Sequence, residues 1–278
     1  MKPILEKKNK ELRCQALLLL AEKKLCKKIN GIIELSSEHL NNKLIVQNSK
    51  ILKNKKFIPG RPVKPVLVSP GRLVKRSMKT VEGRMSLIHS LAHIEFNAIN
   101  LALDIIWRFP NLPFDFYFDW LQVALEEARH FTLLNTYLSK NKHEYGNFPA
   151  HNGLWEMAEK TKNDLLARLA IIPKTLEARG LDISPLIIKK LEQAKDINAA
   201  QILKVILKDE IKHVALGNKW FNWICEQKNL DKQKTYINLI KQYSSKIIKF
   251  PLNENARLMA GFSDDEINSI KSLAKDNS

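Results

Sequence analysis

Three cysteines, Cys14, Cys26 and Cys225, are all that the 278 residues contain, and no two stand in CxxC spacing. An odd, scattered set excludes a disulfide framework and a thiolate zinc cluster. It points instead to free thiols in a reducing compartment. Long apolar runs are missing too. The longest early one, residues 16–21, is closed by Glu22, Lys23 and Lys24, far short of the ~20 residues of a membrane span. It is also too short for a secretory signal core, and no small-residue cleavage site follows it, so the expected location is the cytoplasm. Period-two alternation is absent as well, which leaves no expected sheet. Acids are scarce in one place only. Residues 1–80 hold 20 Lys/Arg against five acids, Glu6, Glu11, Glu22, Glu34 and Glu38, a net of +15. Residues 81–278 hold 26 against 24, a net of +2. The overall +17 is therefore an N-terminal property, suited to a polyanion such as RNA or to an anionic membrane surface.

What is present is helical patterning. An apolar content of 45% is ordinary for a globular chain. Leu5, Leu12, Ala16, Leu19 and Leu20 predict a helix over 4–29, with a second over 31–46. The prolines and glycines of Pro59-Gly60-Arg61-Pro62-Val63-Lys64-Pro65 and Val68-Ser69-Pro70-Gly71 form an extended connector, because proline fixes φ and donates no amide hydrogen. From residue 81 onward apolar positions recur with helical period. They predict helices over 82–107, 115–140 and 154–179, the last stopped by Gly180. Ser184-Pro185 starts a short helix as N-cap and N1, and a long helix covers 196–226. Residues 251–262 are loop, and Ser263 with Asp264, Asp265 and Glu266 begins a final helix. The organisation expected is 1–56 as a basic helical region, 57–80 as the connector, 81–228 as a four-helix bundle and 229–278 as a C-terminal extension.

Two stretches carry the chemistry: Glu126-Glu127-Ala128-Arg129-His130 and Asp209-Glu210-Ile211-Lys212-His213. Residues i and i+3 share a helix face, so each stretch aims a carboxylate and an imidazole at one point. A lone Glu-x-x-His is ordinary helix decoration. Here each has a glutamate upstream at nearly equal distance: Glu95 lies 32 residues before Glu127, and Glu177 lies 33 before Glu210. A glutamate from each of two helices and a Glu-x-x-His from each of the other two is the ligand layout of a dimetal site in a bundle core. Hard oxygen donors with one imidazole per ion favour iron, or manganese, over zinc. Glu126 and Asp209 offer carboxylates to the histidine ring N–H groups, with Arg129 and Lys212 as their cationic partners. His93 lies two residues before Glu95, about 200° round the helix, so His93 and His89 one turn earlier do not share its face and read as packing. Glu159 competes with Glu177 but breaks the spacing. Pro173, four residues before Glu177, should kink its helix. The five tryptophans read as core packing.

Five phrases resemble a ferritin-like bacterial family catalogued as a domain of unknown function (DUF455 type). They are residues 89–102, 126–131 (Glu-Glu-Ala-Arg-His-Phe), 151–159 (His-Asn-Gly-Leu-Trp-Glu-Met-Ala-Glu), 176–182 and 209–214. The likeness covers roughly 59–262, including Ala-Arg-Leu-Met-Ala-Gly-Phe at 256–262, and is weakest over the first ~55 residues. The Glu-Ala-Arg at 177–179 is also similar to a ferritin-like tRNA hydroxylase. The resemblance implies an all-α, ferritin-like four-helix bundle with additional N-terminal helices and a C-terminal extension, and it suggests a role for His151 and Glu156. The expected function is an O₂-dependent oxidoreductase with two metal ions, iron or manganese, acting on an organic substrate. The alternatives are a tRNA-modifying hydroxylase acting on a modified nucleoside, or a non-catalytic metal-binding or RNA-binding scaffold whose basic N-terminal region holds RNA.

Overall fold

The α-helix over Val81–Arg108 (α3) is buried on nearly every face, polar residues included. In the computed structural model, described here for residues 10–54, 56–74, 76–243 and 248–276, the chain is all-α, a helical bundle. It forms two compact units. One comprises residues up to Pro65 together with His93–Thr132, the other Val66–Ala92 together with Leu133–Ser278.

In the first unit, Leu12–Leu20 (α1) and Leu25–Leu40 (α2) pack on one another. The expected single helix over 4–29 is thus broken at 21–24, and its first residues lie outside the described ones. The break follows from close packing: Gly60 donates its N–H to Leu20 O at 2.7 Å, and a Cβ at 60 would run into the Ala21 carbonyl. Glu11 caps α1 by accepting from the Arg13 and Cys14 amides. Instead of no strand at all, Lys10–Glu11 (β1) and Leu44–Ile45 (β2) form a two-residue parallel pair. Leu12, Ala16, Leu20, Ile32 and Leu35 are buried here. So are Phe96, Ile99 and Ile106 of α3, and Phe116, Trp120 and Phe131 of the helix over Phe114–Lys140 (α4).

Arg13 and Lys28 are both buried in this unit. Arg13 donates to Ile106 O and Trp107 O at the end of α3, and to the carbonyls of Gln47, Asn48 and Lys50. Lys28 donates to Leu20 O, Gly60 O and the Asn100 side chain, over the Phe96 ring. Two of the four carbonyls at the C-terminal end of α3, which have no partners inside the helix, are thereby taken up by a guanidinium.

In the second unit, the stretch expected as one helix over 154–179 is four pieces: Gly153–Lys160 (α5), Leu165–Ile171 (α6), a π-helical turn Ile172–Glu177, and Ala178–Gln193 (α7). Pro173 has no N–H to continue the α-pattern, and Thr175 Oγ1 donates back five residues to Ala170 O at 2.7 Å. The helix therefore widens instead of merely kinking. It does not stop at Gly180, nor does a new one begin at Ser184. Pro185 sits inside α7, and the Leu181 carbonyl it leaves without an amide accepts from Asn253 Nδ2 at 3.2 Å. Ile197–Gln227 (α8), capped by Asp196, packs along α6, the π turn and α7. Lys232–Tyr243 (α9), Glu254–Met259 (α10, in the segment expected as loop) and Asp264–Asp276 (α11) complete the unit. At α11 the Ser263 hydroxyl accepts from Glu266 N and the Glu266 carboxylate accepts from Ser263 N, both at 3.1 Å, a reciprocal capping box.

Candidate metal centre

Glu95 comes from α3, and Glu127 and His130 come from consecutive turns of α4. All three are buried, and they offer ligand atoms within 4.8 Å of one another. His130 Nδ1 lies 3.5 Å from Glu95 Oε2 and 3.5 Å from Glu127 Oε2. Burial by itself would strip the proton from His130. The Glu127 and Glu95 carboxylates outweigh it and push the imidazole up to about 11. Two carboxylates in a dry site demand a cation, and the imidazolium answers that demand in the protein alone. A divalent ion satisfies the same demand while leaving the ring neutral, as a ligand must be. The donor set fits a hard metal ion, and the buried Glu/His cluster can hold one.

The second unit repeats the pattern on α8. Glu210 Oε1 lies 3.5 Å from His213 Nδ1, with His213 buried and the Glu210 side chain 12% exposed. Glu177 closes the π turn, which packs against α8. Asp209 is buried and pairs with Lys212 at 3.0 Å, and the lysine head reaches solvent. Glu126 accepts from Gln122 Nε2 one turn earlier on α4, and Arg129 is exposed. His151 Nδ1 accepts from the Gly153 amide at the start of α5, while Glu156 is exposed on that helix. Glu159 pairs with Lys162 at 3.3 Å. His89 is fully buried and accepts from Gly146 N at 2.8 Å, stacked on Tyr145 and edge-on to Phe148. That is the packing role its helix position implies.

Spacing arguments missed the buried cations that brace these elements. Lys174, in the π turn three residues before Glu177, lies 2.8 Å from Glu266 Oε1 and donates to Asn218 Oδ1 at 2.6 Å. The rings of Phe262, Tyr236 and Phe221 surround it at 4.3, 4.5 and 5.5 Å. Burial pushes this ammonium below the usual lysine range, with Glu266 opposing the shift. A faint signal existed for such residues. Lys28, Ile32 and Leu35 follow i, i+4, i+7, so Lys28 stands on the apolar stripe of α2.

The family described as "Protein of unknown function (DUF455)" matches residues 21–268. An uncharacterized protein of Haemophilus influenzae (strain ATCC 51907 / DSM 11121 / KW20 / Rd) is 45% identical over 216 residues, 75% of this chain and 75% of that protein. No solved structure matches the chain significantly.

Proposed function

The chain belongs to the DUF455 family, whose description assigns no reaction, and we propose that it is a dimetal-carboxylate protein working as an O₂-dependent oxidoreductase on an organic substrate. The observation that carries this reading is the buried cluster of Glu95, Glu127 and His130, with its counterpart Glu210 and His213 on α8. In this reading Glu95, Glu127 and His130 serve one ion, and Glu177, Glu210 and His213 serve the other. On this reading Glu127 and Glu210 would be the carboxylates that bridge or chelate the ions. Bound iron, or manganese, would supply the redox chemistry with O₂ that no side chain in the set possesses. The chain's own part is to keep the imidazoles neutral and oriented, to hold Glu95 and Glu127 away from water, and to balance charge through pairs such as Asp209–Lys212.

Anaerobic loading with Fe(II) or Mn(II), followed by elemental analysis, tests it. About two ions per chain are expected, with loss of metal from Glu127→Ala and from His213→Ala. An Fe(II)-loaded protein that consumes O₂ in proportion to its metal content supports the oxidoreductase. Retained metal without O₂ uptake leaves a metal-binding scaffold, and a chain that takes up no metal rules out both.

A further inference from the structure

Not one aspartate or glutamate occurs from residue 39 to residue 81, a stretch with eleven Lys/Arg. Within the first unit, Lys43, Lys50, Lys53, Lys56 and Lys64 of this stretch are exposed, and none has a carboxylate partner among the described residues. Between them stand large apolar side chains in water: Ile51 78% exposed, Phe57 81% and Val63 98%. A loop free to collapse would cover such residues, because each buried apolar side chain gains free energy in proportion to the area removed from water.

This loop is held open. Arg13, buried under its start, grips the carbonyls of Gln47, Asn48 and Lys50. Lys28, buried under its end, grips the Gly60 carbonyl at 3.0 Å, while the Gly60 amide is bound to Leu20 O. Both anchors spend a buried cation on backbone oxygens, and between them Ile51, Lys53, Lys56 and Phe57 lie exposed. The outward side chains are aliphatic as well as basic. Of the three exposed apolar side chains only Phe57 offers a ring on which a nucleotide base could stack, whereas single-strand binders line up several such platforms. Most of the cations here are lysines, point charges suited to phosphate groups rather than to the bidentate reading of bases that arginine performs.

We infer that residues 43–54 and 56–64 form a docking surface for an anionic lipid bilayer. The lysines engage headgroup phosphates, and Ile51, Phe57 and Val63 enter the interfacial region. The inference is independent of the metal reading and would place the protein at a membrane surface without any spanning helix; no described helix is long and apolar enough to span one.

Flotation of the full chain with vesicles tests this. Vesicles of phosphatidylcholine with one-third phosphatidylglycerol should carry the protein upward, and pure phosphatidylcholine vesicles should not. A basic residue near an anionic surface contributes about fivefold in partitioning, so K53E/K56E, a change of four charges, should weaken it more than a hundredfold. F57S/V63S should weaken it at least tenfold, most visibly at high salt where the lysines are screened. All four positions are exposed, so unchanged helicity by circular dichroism shows that the variants are folded. No flotation with either vesicle overturns the inference. Flotation indifferent to F57S/V63S, together with tight salt-sensitive binding of total tRNA that is lost in K53E/K56E, also overturns it and assigns the surface to RNA.

Discussion

Pro173 and Gly217 occupy each other's space: a Cβ added at 217 would stand 2.5 Å from the Pro173 Cβ. In the middle of a helix an alanine normally stabilises relative to glycine by about 1 kcal/mol. Here the sign should reverse, because the proline ring is fixed and the π turn that carries it also carries Glu177. Gly217→Ala is expected to lower stability by about 1–3 kcal/mol, read from urea denaturation. A stabilised variant would mean that the π turn yields easily.

The Lys174 cage predicts a non-additive pair. Lys174→Met removes the cation and leaves the buried Glu266 carboxylate without the ammonium 2.8 Å away that balances it, at a cost of about 3–5 kcal/mol. Glu266→Gln in the same chain removes that charge while keeping an oxygen for the Ser263 amide. Thermal melts of the singles and the double should give a double mutant more stable than Lys174→Met alone. Simple additivity would show that the ammonium and carboxylate do not act as a unit.

Acid sensitivity is expected from His89. Burial pushes this imidazole down to about 4, and its Nε2 accepts from Gly146 N, which only a neutral ring can do. The unfolded chain takes up the proton near pH 6.5, so stability contributed by the neutral ring is complete above that pH. It is lost as pH falls from 6.5 toward 4, by about 3 kcal/mol in all. His89→Gln keeps a side-chain acceptor and does not titrate, so its stability should vary less across this window. Parallel pH profiles for the two proteins would refute the assignment.

Metal should act as a stabilising ligand as well as a cofactor. With Fe(II) or Mn(II) at a hundred times its dissociation constant, linkage gives about 2.7 kcal/mol per site. Differential scanning fluorimetry under nitrogen should show this as a rise in Tm for the unaltered chain and none for Glu127→Ala.

Much of the scaffold could be read from the letters. The bounds of α3, α4 and α8 fall within a residue or so of those that apolar periodicity predicts. The closeness of Glu127 to His130, and of Glu210 to His213, is local helix geometry. What resisted reading depends on distant partners. Pro185 reads as a helix start until Asn253 is seen to take the Leu181 carbonyl. Gly180 reads as a stop, yet α7 runs through it. Arg13, Lys28 and Lys174 draw no reading, because several of their partners are backbone oxygens and ring faces that single-residue rules do not register.

Arg13 also sets an order of events. Its guanidinium waits for carbonyls at 47, 48, 50, 106 and 107, so α1 cannot complete its contacts until more than a hundred residues have left the ribosome. Closing contacts of such sequence separation is slow. During that interval the basic segment is a tethered, unfinished surface, open to wrong partners until α3 arrives.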